Sequence, residues 1–530
     1  MAELFNAAEY LTGARVAAGD GDRIAVRHPR GLLTYSQLTD EVRRVAGGLR
    51  AVGVRPEQRV LLVMTDDVEL FTAILAAMWI GAVAVPSSTM LTGRELSVLV
   101  RDSRATALVG SPEFADNIAA AVAGAPDLTR VVLTGENALG SDGLVDGARS
   151  TTWDEMIAEG SPVEIPYRTW DESHALWLYT SGTTGKPKGA MHRHADIRSV
   201  AETYGTQVLG IDRDDVCLSV AKLFFAYGIG NSMFFPLAVG ASVVLEPSRP
   251  NPDLYSRLAA EHSATLFFAV PSFWGPLLAA EVDPARFASV RRGASAGEAL
   301  PARMFHGVRD RYGFEVLDGI GSTEALHIFI SNVPGKVVPG SSGFPVPGYE
   351  AQLRRSDGTV IDGAGESGML YISGDSICTG YWCRTDVNRL VFHGEWMRTG
   401  DQYIRGEDGA YTCLGRADDV LKVGGLWVSP SEVEVRLLEH PALAEAVVVG
   451  VPDDDGLDKP IAFVVPRPGQ APDADELIAF CRAGLAAFKR PRAVVTVEEL
   501  PKTATGKIQR FRLREQAALI PTAPPPGVPT

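Results

Sequence analysis

The sequence predicts an α/β protein. A large N-terminal domain of parallel α/β sheets with a small β-barrel is followed by a small α+β domain. Three observations carry this reading. Short runs of Val, Leu, Ile and Ala alternate with helical stretches up to Phe268, the pattern of parallel strands with helices packed outside. From about Gly343 short strands are separated by Gly and Asp turns, an antiparallel texture. At 530 residues the chain exceeds what one ordinary core organises, so two or more domains are expected.

Each element follows from its residues. Val60-Leu61-Leu62-Val63-Met64 is a buried strand, and Asp66 and Asp67 stand at the start of the next helix, where the dipole favours acids. The apolar stretch Leu70–Val85 is 16 residues long. That is short of the roughly 18 needed to span a bilayer, and Gly81 divides it, so it reads as a buried helix running into strand Ala82–Val85, ended by Pro86. Thr92 caps a helix reaching Asp102, and Ala107–Val109 and Val131–Leu133 are further strands. A second cycle of the same kind contains strands Ala241–Leu245 and Thr265–Phe268. Tyr349–Arg354, Gly368–Ile372 and the Tyr411 region form the antiparallel part. Near the end, Ala444–Val449 and Ile461–Val465 are strands and Asp473–Cys481 is a helix. The tail, residues 521–530, holds five prolines and is expected to be disordered.

Composition excludes several classes. Hydrophobic content of 46% and charged content of 22% suit a water-soluble globular protein. A net charge of −15 argues against nucleic acid or anionic membrane as a partner. The five cysteines are scattered and odd in number, with no disulfide framework or zinc spacing; Cys378 and Cys383, the closest pair, read as small buried hydrophobes. His192 and His194 form a His-x-His with no acidic or cysteine partner placed to complete a metal site, so both read as core or surface histidines and not as metal ligands. Met1–Phe5 lacks a basic region followed by an apolar run, and a cytoplasmic location is expected.

The most informative segment is Tyr179-Thr180-Ser181-Gly182-Thr183-Thr184-Gly185-Lys186-Pro187-Lys188-Gly189. Glycines permit close backbone approach, successive N–H groups form an anion-binding nest, and hydroxyls and lysines add donors and charge. This is polyphosphate chemistry. It is not a Walker A loop, because only two residues separate Gly182 from Gly185.

The same string resembles the phosphate-binding signature of the acyl-adenylate-forming enzymes, the superfamily of acyl-CoA synthetases, adenylation domains and luciferases. Further segments resemble its other motifs in the family's order: Ile320-Gly321-Ser322-Thr323-Glu324, Arg398-Thr399-Gly400-Asp401, Gly415-Arg416-Ala417-Asp418-Asp419 and Pro501–Lys507. Taken singly, Glu324 reads equally as a solvated acid, Asp401 as a turn residue and Lys507 as part of a loop; their succession is what the resemblance uses. It implies ATP, Mg²⁺ and coenzyme A as co-substrates and cofactor. Ser181, Thr183, Thr184 and Lys188 would hold phosphates, with Gly297, Glu298, Asp318, Asp401 and Arg416 also at the nucleotide. Thr323 would contact the α-phosphate, Glu324 would hold Mg²⁺, and Lys507 would bridge substrate carboxylate and α-phosphate. Ile320 departs from the usual tyrosine that packs on adenine.

The resemblance also divides the chain into an N-terminal domain over residues 1–415, a mobile C-terminal domain over 416–520 pivoting near Asp418, and the 521–530 tail. Gly424 and Gly425 would let pantetheine pass close to the backbone. Lys222–Asn231, Ser295–Pro301 and Thr323–Phe329 resemble the corresponding segments of benzoate–CoA ligases. Carried over, Phe225, Ala226, Tyr227, Ala296, Gly321, His327 and Ile328 shape a flat slot for an aromatic carboxylic acid. The implied activity is aryl-CoA ligation. One alternative is transfer of the aryl group to an acyl carrier protein; another is a nucleotide-binding regulator without catalysis. A monomer or homodimer is expected, with neither nucleic acid nor membrane as partner.

Overall fold

The structure is a computed structural model and describes residues 2–135, 139, 148–181, 187–416, 421–423, 426–452, 458–485, 489–502 and 508–520. The chain divides into two compact units. One comprises Met1–Ala351 with Ile372–Arg398, the other Gln352–Tyr371 with Thr399–Thr530.

The first unit is built on two sheets. A seven-stranded sheet runs in the order Arg149–Thr152, Arg130–Leu133, Ala107–Gly110, Arg59–Val63, Val83–Pro86, His174–Ser181, Pro187–Arg193. All its pairings are parallel except the last, an antiparallel hairpin. Continuous apolar runs such as Val60–Val63 are buried, as strands covered on both faces must be. The stretch Leu70–Val85 is a buried helix, Val68–Trp79, leading into a strand. Its N-cap is Asp67, whose side chain accepts from the Val68 N–H. Among the described residues no helix is long and apolar enough to cross a membrane. Thr92 caps helix Gly93–Ser103 through a reciprocal bond with Glu95, as its position predicts.

The second sheet has nine strands, in the order Phe344–Pro345, Ile328–Ser331, Val316–Gly321, Arg292–Ser295, Leu266–Ala269, Val216–Ser219, Ser242–Val244, Ile24–His28, Gly31–Thr34. The six from Val316–Gly321 through Ile24–His28 are parallel to one another, and antiparallel strands flank them on both sides. Phe267, Trp274 and Phe287 form the centre of its core, with ring centroids 5.5 Å apart between Phe267 and Trp274 and 5.3 Å between Phe267 and Phe287. Truncating one of these to alanine is worth about 3–5 kcal/mol, since transfer and cavity costs add.

In the second unit, strands Leu443–Pro452 and Asp458–Pro466 pair antiparallel and Ala493–Thr496 adds in parallel. Side chains alternate between faces with period two. Ala446, Val448, Ala462 and Val464 join a cluster with helices Pro430–Leu438 and Ala474–Gly484. Val447, Val449, Ile461 and Phe463 join Leu513 and Ala517 of helix Arg510–Ala517 on the other. This is the small α+β arrangement expected from the sequence.

All five cysteines are free. Cys217, Cys378 and Cys481 are buried as expected of small hydrophobes, but Cys383 is exposed, against the expectation that it is buried too. Cys383 stands in a turn with φ of +50°, in the left-handed region, and not in a strand or helix that would pack it against the core.

Candidate active site

The phosphate segment lies on the His174–Ser181 and Pro187–Arg193 hairpin, with Thr180 opposite Lys188 and Ser181 opposite Pro187. The Lys188 ammonium sits 4.9 Å from the centre of the Tyr381 ring. The Tyr381 hydroxyl donates to Glu324 Oε1 at 2.6 Å. One tyrosine therefore joins the lysine and the glutamate that the motifs single out. Tyr381 is fixed in turn by its N–H, which donates to Asn388 Oδ1, and by a bridge between its own backbone and Ala190 on the hairpin.

Thr323 and Glu324 lie in the connection between strands 316–321 and 328–331, and three successive carbonyls of this turn, those of Thr323, Glu324 and Ala325, are held. Thr323 O accepts from the Leu326 N–H at 3.2 Å and lies 2.7 Å from His192 Nε2. Glu324 O accepts from the Cys378 N–H at 2.8 Å, and Ala325 O from Ser376 Oγ at 2.6 Å. Leu326 closes the turn with φ of +64°. A non-glycine residue in this region costs about 1–3 kcal/mol and persists only where surroundings over-determine it. The Thr323–Glu324 backbone is thus pre-set before any ligand arrives.

The residues expected to shape an aromatic slot gather at the carboxyl ends of adjacent parallel strands, the usual ligand position in open α/β sheets. Register places Ala269 beside Ser295 and Ser295 beside Asp318. Buried Ala296 and left-handed Gly297 (φ +91°) follow directly, with Gly297 and Glu298 exposed. Asp318 is buried; its Oδ2 accepts from the Leu300 N–H, fastening the 296–300 segment, and burial pushes its carboxyl well above the ordinary carboxylate range. Tyr227 reaches across the strand ends to donate to Ala269 O at 3.3 Å. Phe225 and Ala226 open the short helix Ala226–Ile229 and are half-buried. Glycine brings strand 328–331 close: a Cβ on Gly319 would lie 2.8 Å from Ile328 Cγ2, and one on Gly321 2.5 Å from His327 O.

His327 is buried at the centre of an aromatic cluster. Its ring centroid lies 5.4 Å from Tyr227, 5.0 Å from Tyr204 and 4.5 Å from Phe235. Nε2 lies 3.3 Å from Tyr227 O, which only accepts, so Nε2 carries the proton and also faces Asn231 Oδ1 at 3.2 Å. Burial pushes its pKa down to about 3, so the ring is neutral. The entrance segment is anchored from below: the Leu223 N–H donates to Asp66 Oδ2 at 2.9 Å, and Lys222 Nζ donates to Glu246 O and Ser248 O.

In the second unit, Asp401 and Arg416 face each other across strands Trp396–Arg405 and Tyr411–Arg416. Arg416 Nη1 donates to Asp401 Oδ1 at 3.0 Å and to Thr399 O at 3.2 Å. Thr399 Oγ1 accepts from the Asp401 N–H. Gly400 takes φ of +82°, and a Cβ there would lie 3.0 Å from Arg416 Nη2. The Thr-Gly-Asp motif is therefore a turn closed by its own threonine, with glycine leaving room for the arginine.

Thr183, Thr184, Asp418, Gly424, Gly425 and Lys507 lie outside the described residues, as does the Ser181 side chain. Among the described residues no group of three or more metal-ligating side chains occurs, and His192 and His194 are both buried. Sequence reasoning missed Tyr381, Tyr204, Asn231 and Phe235, and it did not connect His192 to Thr323. No local pattern marks them, since each partner is remote in the chain.

Residues 14–382 match the model of the AMP-binding enzyme family and residues 432–507 that of the AMP-binding enzyme C-terminal domain. The chain is 42% identical over 517 residues to the benzoate–CoA ligase of Thauera aromatica, covering 97% of this chain and 96% of that one. Its structure is similar to that of a benzoate CoA ligase from Burkholderia xenovorans LB400, with TM-score 0.87, 41% identity and coverage of 96% and 100%. It is similar also to the anthranilate CoA ligase AuaEII in complex with anthranoyl-AMP, with TM-score 0.90, 37% identity and coverage of 97% and 98%. The motifs, the strand-end site and these matches converge: the chain belongs to the AMP-binding, acyl-adenylate-forming enzyme family.

Proposed function

We propose that the protein is an ATP-dependent aryl-CoA ligase acting on benzoate or a small substituted benzoate. The acid's carboxylate oxygen attacks the α-phosphorus of ATP, displacing pyrophosphate and forming an aryl-adenylate. The CoA thiol then attacks the acyl carbon, AMP leaves, and the thiol proton passes to solvent. The observation that carries this reading is the meeting of Lys188, Tyr381 and Glu324 in the same unit as an aromatic slot built around His327. Flat walls of Ala296 and glycine suit a ring, and the bulk of Phe225, Tyr227 and Ile328 limits its length.

The donor set fits Mg²⁺. Mg²⁺ takes one or two protein carboxylates and completes its shell with phosphate and water. Glu324 is half-buried with Oε1 oriented by Tyr381, and it stands in a turn whose backbone is fixed. When bound with ATP, Mg²⁺ supplies charge neutralisation at the phosphates. Lys188, Thr323 and the phosphate segment with Ser181, Thr183 and Thr184 bind the triphosphate in this reading. Gly297, Glu298 and Asp318 shape the nucleotide site, and Asp401, oriented by Arg416, accepts from the ribose hydroxyls. Lys507 bridges the reacting carboxylate and α-phosphate. Residues 416–520 move as a domain about Asp418, exchanging Lys507 for the Gly424–Gly425 segment when CoA reacts.

Trapping tests this directly. Full-length protein with ATP, Mg²⁺, benzoate and hydroxylamine, without CoA, should release benzohydroxamate. Absence of hydroxamate with benzoate and its hydroxy and amino derivatives would overturn the reading.

A further inference from the structure

One pair of buried polar groups that the reaction scheme does not use points at the Thr323–Glu324 turn. His192 and Asp196 are both fully buried, four residues apart. His192 Nδ1 lies 3.1 Å from Asp196 Oδ2, and its Nε2 lies 2.7 Å from the Thr323 carbonyl oxygen. A carbonyl only accepts, so Nε2 carries a proton. Asp196 is likewise an acceptor: the Arg193 N–H donates to Oδ2 and Arg193 Nε to Oδ1, each at 2.9 Å. With acceptors at both ends, the ring has to donate from both nitrogens. Arg193 is braced from outside by Glu172 Oε1 at 2.9 Å and by Asp375 O.

We infer that His192 is a positioning residue for aryl-adenylate formation: an imidazolium clamped by Asp196 that fixes the Thr323 carbonyl, and with it the Thr323–Glu324 turn. This rests on the adenylation reading above. The connection also ties the two nucleotide elements together, since His192 is on the same strand as Lys188 and Thr323 adjoins Glu324. Neutral hydrogen bonds hold the next two carbonyls; the charge-assisted one is reserved for Thr323, the residue nearest the developing charge in this scheme.

Two variants and one spectrum test it in the full-length protein. His192→Leu removes the donor. His192→Gln keeps an amide N–H at the Nε2 position. Hydroxamate formation gives kcat and KM for benzoate and MgATP, and thermal unfolding confirms folding. The expectation is a fall in kcat of about 10–100-fold for His192→Leu, the usual effect of losing an outer-shell partner, with KM for benzoate unchanged and most of the rate restored by His192→Gln. Nitrogen NMR of the histidine-labelled wild type should show both His192 ring nitrogens protonated. A folded His192→Leu with wild-type kcat, a folded His192→Gln as slow as His192→Leu, or a singly protonated ring would each overturn the inference. If His192→Leu does not fold, His192→Gln and the spectrum decide. An inactive wild type would instead refute the adenylation reading itself.

Discussion

Asp66 accepts from the Leu223 N–H beneath the 222–225 segment and makes stability depend on pH in a calculable way. Its carboxyl is buried, and burial raises its pKa to about 6 from an ordinary 3.8; Lys222 and the Leu223 N–H pull the other way without cancelling this. For a raised carboxyl the sign is fixed. The contribution to stability is fully present below the unfolded value near 3.8 and is lost as pH rises through about 6. Two units at about 1.4 kcal/mol each make roughly 3 kcal/mol over that window, an order-of-magnitude figure. Asp66→Asn keeps an oxygen to accept from the Leu223 N–H and removes the titration. Urea unfolding of both proteins at intervals from pH 4 to pH 8 reads the effect. The stability difference should shift by about 3 kcal/mol in favour of Asp66→Asn as pH rises, whatever constant offset the lost attraction to Lys222 adds. A difference that stays flat across pH 4 to 7 would refute the burial argument.

Other perturbations separate the parts of the site. Lys507→Ala should lower adenylation at least ~10²-fold, as for loss of one preorganised charge, while thioester formation from supplied benzoyl-adenylate survives; equal loss in both half-reactions contradicts the two-conformation scheme. Asp418→Pro should do the reverse, since proline fixes φ and removes a donor at the pivot; normal CoA-dependent turnover would place the pivot elsewhere. Tyr381→Phe keeps the ring under Lys188 and removes one bond to a charged group, worth about 1.5–3 kcal/mol; kcat/KM for MgATP should fall roughly 10–100-fold, and an unchanged Mg²⁺ titration would count against Glu324 as the metal ligand. Ile328→Ala should widen acceptance of para-substituted benzoates by about 1–3 kcal/mol in preference; selectivity identical to wild type would move the end of the slot away from Ile328.

What was legible in the chain is what short-range patterns encode. Apolar runs placed several strands to within about one residue, Ala107–Val109 becoming Ala107–Gly110 and Thr265–Phe268 becoming Leu266–Ala269, while Ala444–Val449 and Ile461–Val465 extend to Leu443–Pro452 and Asp458–Pro466 because backbone pairing runs on past the apolar residues. The Thr92 cap marked a helix start correctly, and the helix expected over Asp473–Cys481 is Ala474–Gly484 with Asp473 as its cap. The site's supporting contacts were not legible, because they join remote segments by single polar bonds. His192 and Thr323 are 131 residues apart, Tyr381 and Glu324 are 57, and Asp66 and Leu223 are 157. Asp66 illustrates the limit. Read locally it is a helix-dipole acid like its neighbour, yet only Asp67 caps the helix, and Asp66 turns to the 222–225 segment. Residue type shows that a buried carboxylate needs a donor; it does not say which of many distant N–H groups supplies one.

The most direct measurement is pyrophosphate release by the wild-type protein over a panel of acids, each with and without CoA. Benzoate and its small hydroxy, amino and fluoro derivatives should give sustained release only with CoA, matched by aryl-CoA and AMP, while octanoate and other flexible chains stay poor because a flat slot imposes an ordering cost on them. Faster turnover of medium-chain fatty acids than of benzoate, or release that ignores CoA and responds only to a carrier protein, would contradict the account.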